Sequence, residues 1–195
     1  MPQRASPQTY IRNGTNLPLY LLHALSFGKF ISHIDISNQP LSDSSLKTLL
    51  SSTQSLTSLS LRRCGALTGK GFAISGGSDD LTLRHLSLND CKLLTDRGVY
   101  LACKLFGAAL VTISVSCCKL LTDKSVRSIA KCCARLESCD LNSIPCRESS
   151  VRKLLTNCSQ TLRAINIGGC EGLSDEFAEG EMSNWEHNCL IYRIK

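Results

Sequence analysis

Aromatic side chains are scarce in this chain: Phe, Trp and Tyr make up 5% of its 195 residues, and tryptophan occurs once. Any core must therefore be assembled from Leu, Ile, Val and Cys, for which a hydrophobic content of 43% is ample. Long apolar runs are missing too. None approaches the roughly 20 residues a membrane helix needs, so no membrane insertion is expected. The stretch Leu17 to Leu25 is short and lacks a cleavage signature, so it does not read as a secretory signal. Acid is absent from residues 1–34, which carry Arg4, Arg12 and Lys29, a bias shared with mitochondrial presequences. The wider charge balance is mild, with 22 Lys and Arg against 16 Asp and Glu. That excess leans toward an acidic partner and is too small to indicate nucleic acid.

Cysteine, by contrast, is abundant. Twelve thiols could mark a secreted disulfide framework, but such frameworks compensate for a poor core, and this chain has no such deficit. A reducing compartment fits better, and the expected location is cytoplasmic, with nuclear or mitochondrial placement as alternatives. No Cys-x-x-Cys pair occurs, so zinc is not expected; cysteine is read as a small buried hydrophobe. The segment Gly65 to Gly71, GALTGKG, imitates a phosphate loop but is one residue short between its glycines and has Gly where a magnesium-binding hydroxyl belongs. The histidines at 23, 33, 85 and 187 show no local pairing with a nucleophile or a metal ligand. No catalytic, cofactor-binding or metal residue is assigned, no cofactor is expected, and the chain is not read as an enzyme.

Self-similarity organises the remainder. The pattern Leu-x-x-Leu-x-Leu-x-x-Cys runs from Leu56 to Cys64 (LTSLSLRRC), Leu83 to Cys91 (LRHLSLNDC), Leu110 to Cys118 (LVTISVSCC) and Leu162 to Cys170 (LRAINIGGC). Weaker copies start at Leu136 (LESCDLNSI) and Ile31 (ISHIDISNQ), and successive starts differ by 25, 27, 27, 26 and 26 residues. Alternation within each copy specifies a strand with one buried face. At a fixed offset follow Leu94-Thr95-Asp96, Leu121-Thr122-Asp123 and Leu173-Ser174-Asp175, with Leu41-Ser42-Asp43 one residue earlier; the Thr or Asp of each can cap a helix. Helical spacing then groups Val99, Ala102, Cys103 and Phe106, as it does Val126, Ile129, Ala130 and Cys133, and Val151, Leu154, Leu155 and Cys158.

A strand and a helix of this size cannot cover each other's apolar faces alone, whereas stacked copies share one core. The expected fold is an α/β solenoid of about six repeats, with a curved parallel sheet on the concave side and helices on the convex side. Two units look weak: Gly69 replaces a capping Asp and Gly76-Gly77 interrupts a helix in the second, and Ile144-Pro145-Cys146 shifts the turn in the fifth. The expected organisation is a disordered N-terminus at 1–16, an N-terminal capping helix at 17–30, the solenoid at 31–175 and a C-terminal cap or tail at 176–195.

Strand, Cys, Leu-Thr-Asp and a helix ending near Cys together resemble the cysteine-containing leucine-rich repeats, most clearly in LRHLSLNDCKLLTDRGVYLACKL and LVTISVSCCKLLTDKSVRSIAKCCARL. The resemblance covers about residues 31–175 and implies a protein-binding scaffold. This repeat type is best known from F-box proteins, in which the solenoid grips the substrate and a separate F-box docks on a cullin ubiquitin ligase. The resemblance thus implies ubiquitin-ligase subunits among the partners, although the stretch before Ile31 is shorter than an F-box and offers only a faint match in LPLYLLHAL. Related repeats serve structural or assembly subunits in axonemes and mitochondria, which is the alternative reading.

On the concave face, strand alternation exposes Arg62, His85, Ser87, Asn89, Thr112, Ser114, Asp140 and Asn142 as candidate partner-binding residues. At the rim Lys70, Arg97 and Lys124 recur 27 residues apart, and Lys92 and Lys119 repeat the interval. Cations near helix N-termini are slightly unfavourable, by a few tenths of a kcal/mol, so this column points to an acidic protein partner.

Overall fold

The computed structural model describes residues 9–12, 30–74, 82–184 and 190–192. Their strands form one parallel sheet in chain order: β1 (Thr9–Arg12), β2 (Ile31–Asp35), β3 (Ser58–Ser60), β4 (His85–Ser87), β5 (Thr112–Ser114), β6 (Ser138–Asp140), β7 (Ala164–Asn166) and β8 (Leu190–Tyr192). Five α-helices alternate with them: α1 (Asp43–Ser52), α2 (Asp96–Phe106), α3 (Asp123–Cys132), α4 (Glu148–Asn157) and α5 (Asp175–Asn184). This is the α/β solenoid of about six units that the periodicity specifies.

From β2 to β8 the register is uniform. Ile34, Leu59, Leu86, Ile113, Cys139 and Ile165 pair in succession, so each strand adds one buried side chain to a single apolar column. The neighbouring residues at both ends of each strand turn to the other face. Two positions beyond the central residue, Leu61, Leu88, Val115, Leu141 and Ile167 complete the strand side of the core. Helix residues such as Val99, Phe106, Val126, Ile129, Val151 and Leu154 close it from the other side.

In the second unit the helix is replaced by a 3-10 turn at Lys70–Phe72, and Gly76-Gly77 lies outside the described residues. The turn brings Phe72 into edge-to-face contact with Phe106, ring centroids 6.2 Å apart. It also brings two backbones together: a methyl group on Gly98 would lie 2.4 Å from the Thr68 carbonyl oxygen and 2.8 Å from Gly69 Cα. In the fifth unit Ile144 takes the cysteine position and α4 still forms, its start marked by Arg147 without a side-chain cap.

Both ends add a strand to the sheet. The sequence offers no element in residues 1–16, yet Thr9–Arg12 pair with β2 as β1. An uncovered parallel strand leaves a row of N–H and C=O groups to be satisfied, and one added strand meets them. Past Asp175, where the repeat pattern lapses, α5 and then β8 continue the alternation, and β8 pairs with β7. The capping helix expected at 17–30 falls outside the described residues, apart from Phe30 at the start of β2. No described helix is long and apolar enough to cross a membrane.

Candidate protein-binding surfaces

Each repeat turns off the sheet in the same way. Directly after Ser37, Arg62, Asn89, Ser116, Asn142 and Gly168, the residues Asn38, Arg63, Asp90, Cys117, Ser143 and Gly169 all adopt φ between 56° and 62°. Only the last is glycine, although this left-handed region costs other residues roughly 1–2 kcal/mol. Inter-repeat hydrogen bonding stabilises the turn: the N–H of Arg63 donates to Asn89 O at 2.8 Å, that of Asp90 to Ser116 O at 2.9 Å, and that of Cys117 to Asn142 O at 3.0 Å. In four of these six turns the next residue is the repeat cysteine. Its thiol donates to a carbonyl of the preceding unit, Cys64 to Ile36, Cys91 to Leu61, Cys118 to Leu88 and Cys170 to Leu141, at 3.1–3.4 Å. Burial pushes the Cys91 thiol up to about 12 and Cys118 up to about 11.

Helix starts are shared between side chains in a way the pattern left open. Ser42, Thr95 and Thr122 are the N-caps, each hydroxyl accepting from a backbone N–H of the first turn. The acid that follows reaches into the next repeat. Asp43 accepts from Thr68 Oγ1 at 2.6 Å and from the N–H groups of Gly69 and Gly71; Asp96 accepts from the N–H and hydroxyl of Thr122 and from Ser125. Asp123 accepts from the N–H of Arg147 and pairs with Arg127, and Glu148 accepts from Ser174. Hydrogen bonding from Ser174 holds the Glu148 carboxyl below the usual range. Where Gly69 supplies no carboxylate, Thr95 bonds the Thr68 carbonyl instead, at 3.1 Å from its hydroxyl.

The concave face carries the candidate residues where alternation placed them. Three polar columns run across it, led by His85 and Thr112, by Ser87, Ser114 and Asp140, and by Arg62, Asn89 and Asn142. Their state is less open than alternation implies. Ser114 donates its one hydroxyl proton to Asp140 Oδ2 at 2.8 Å and also contacts Asn89, a contact that then requires the Asn89 amide group as donor. Asp140 further accepts from the N–H of Asn142 at 3.2 Å, as Asp35 accepts from Ser37 and Asn166 from Gly168. These Asx turns end their strands. His85 Nδ1 meets Thr112 Oγ1 at 3.0 Å, and burial, then Arg84 and His33, lower its pKa, favouring the neutral ring. Ser58, Ser87, Ser138 and Arg62 make no side-chain hydrogen bond among the described residues. Ser87 lies in a shallow hollow of about 150 Å³ floored by Leu59, Leu86 and Ile113.

The rim residues Lys70, Arg97 and Lys124 are all exposed at the edge where helices begin, and the Arg97 guanidinium stacks over Tyr100 at 5.0 Å. Sequence reasoning missed two surface features. Leu93 and Leu120 stand about half exposed on this rim, at 48% and 50%. On the opposite edge a groove of about 400 Å³ runs past Arg84, Val111, Arg135 and Glu137. The leucine pair was legible in principle, since KLL occurs twice at the repeat interval; the groove, formed at the starts of four successive units, was not. Among the described residues no three His, Cys, Asp or Glu side chains converge to hold a metal ion.

A family profile described as "Leucine Rich repeat" matches residues 80–101. No curated protein sequence matches the chain. Among solved structures, a chain of the Rad7 and Elc1 complex of yeast is similar with a TM-score of 0.60 at 17% identity, over 94% of this chain and 54% of the yeast chain. This chain thus spans about half the length of that neighbour. The leucine-rich-repeat protein LegL7 of Legionella pneumophila aligns over 83% of this chain and 64% of its own at 13% identity, with a TM-score of 0.37. The likeness to the yeast chain is one of fold.

Proposed function

We propose that this solenoid is a protein-recognition module whose partner lies across the concave face and along the basic rim. The observation carrying this reading is the concave surface itself. A polar frame, made rigid by bonds among Asn89, Ser114, Asp140 and Asn142, lies beside the hydroxyls of Ser58, Ser87 and Ser138, which are unbonded among the described residues, above an apolar floor. Small unbonded donors on a preorganised sheet suit an extended segment or helix of another protein, because little ordering entropy is lost on binding. Exposed Arg62 and His85 supply the larger side chains that concentrate binding energy. Resemblance to F-box repeats, together with a structural neighbour described as part of a complex with Elc1, supports substrate selection in a ubiquitin-ligase-like assembly. The basic column of Lys70, Arg97 and Lys124 supports an acidic partner.

The test is affinity capture of the tagged protein from cells with the proteasome inhibited. Recovery of cullin-ligase subunits together with a further protein is expected, and Ser87→Trp should exclude that protein sterically. Reversing Lys70, Arg97 and Lys124 to Glu should slow its association and weaken the salt dependence. Capture without any ligase subunit would remove the ligase assignment, and partner binding unchanged by both sets of variants would remove the placement of the site.

A further inference from the structure

Of the large apolar side chains exposed among the described residues, Leu93 and Leu120 are two of three, and they are equivalent residues of adjacent repeats. The same turn presents them: Leu94 N–H donates to Cys91 O and Leu121 N–H to Cys118 O, both at 3.1 Å. One strand spacing of about 4.8 Å separates their repeats at the sheet, and the layers widen toward the helices. Their counterparts in neighbouring units are Ala66 and Gly172, while the fifth unit passes from Ile144 to Cys146 through Pro145 alone, so the apolar spot is confined to two central repeats.

Around that spot the charge is one-sided. Lys92 and Lys119 directly precede the leucines, and Arg97 and Lys124 follow at the helix starts, all exposed. The acids of this rim are already committed. Asp96 is held by Thr122 and Ser125, Asp123 by Arg127 and the Arg147 N–H, and Asp90 pairs with Arg63 at 3.5 Å. Lys92, Lys119 and Lys124 have no ion pair among the described residues. Carboxylates oriented into repeat-to-repeat bonding thus leave these lysines without an ion pair among the described residues beside two leucines, and helix N-termini add positive potential at the same edge.

We infer that this rim is a docking site for a segment of another protein that carries two apolar side chains bracketed by Asp or Glu. The inference rests on the protein-recognition reading and adds a second contact outside the concave face. Leucines supply the buried area and lysines the steering, since exposed charge alone changes association rate more than affinity.

The probe is a fluorescent synthetic peptide with two leucines one residue apart between runs of glutamate; in an extended chain such leucines lie about 6.6 Å apart. Binding is followed by polarisation at low and at physiological salt. The intact chain should bind it, and a peptide with serines for leucines should bind at least about tenfold more weakly, the loss expected from exposing roughly one buried leucine. The double variant Leu93→Ser, Leu120→Ser should lose as much, Lys92→Glu with Lys119→Glu should lose the low-salt enhancement, and Ser87→Trp should bind normally. Thermal melting checks each protein variant, and the leucine-free peptide tests the idea without altering the protein. No binding to the intact chain, equal binding of the leucine-free peptide, or loss with Ser87→Trp would each overturn it. If the rim test fails while Ser87→Trp still excludes a captured partner, recognition by the concave face stands alone; if both fail, the recognition reading falls with it.

Discussion

Single residues in this fold serve the neighbouring repeat as much as their own. Cys91 fills the buried turn after its strand and directs its thiol to Leu61 O, and Cys118 does the same for Leu88. The adjacent Cys117 is exposed, although the two are consecutive in sequence. Alkylation of the native protein, read by peptide mass spectrometry, should therefore modify Cys117 first and spare Cys64, Cys91, Cys118 and Cys170 until unfolding. The raised thiols also set an alkaline limit. Unfolded cysteines ionise near pH 8.5, whereas folded Cys118 and Cys91 hold their protons to about 11 and 12, so above pH 8.5 the unfolded chain binds fewer protons and stability falls as pH rises. Denaturation midpoints should decline steadily from pH 8.5 to 11; a flat profile would show that the thiols are not buried.

At the level of the element, helix starts show how one motif divides its work. The Thr of Leu-Thr-Asp caps its own helix while the Asp binds the following unit, so each helix start is also a rivet between layers. The sequence made the motif plain but not this division, because both side chains are good acceptors and only the position of the next loop separates their roles. The second unit departs from the scheme, with Gly69 and Gly98 in close approach. Helix propensity alone favours Ala over Gly by about 1 kcal/mol within a helix such as α2. The contact with the Thr68 carbonyl opposes it, since backbone on both sides cannot give way. Gly98→Ala is expected to destabilise by about 1–3 kcal/mol in chemical denaturation, whereas a gain in stability would mean that the two backbones stand farther apart.

For the whole molecule, the apolar column from Ile34 to Ile165 and the bonds between units run unbroken through the core, and no buried side-chain nitrogen or oxygen among the described residues lacks a partner. Stability is then distributed over layers, and packing of the thiols predicts independence from metal and from disulfides. Far-UV circular dichroism should be unchanged by chelator and by reductant, and metal analysis should find no stoichiometric zinc. Loss of structure with either reagent would assign the thiols a bonding role in place of packing.

What the sequence determined by itself was the repeat: strand alternation, helical spacing and the cysteine interval are local, and stacking is the one way such units can bury their apolar faces. The face each strand residue takes was legible to the same degree, because strand alternation decides it. Tertiary structure alone decided which of these residues remain available. Asn89, Ser114 and Asp140 lie in three different units, at 25 and 26 residues' separation, and meet only when the register brings their strands side by side. Pairing across the sheet likewise decided that Thr9–Arg12 form a strand, that Arg63 and Cys117 accept a left-handed backbone, and that Leu93 and Leu120 stand together among unpaired lysines. Each of these depends on distances between repeats, and a period in the sequence states that units recur without stating how closely they approach.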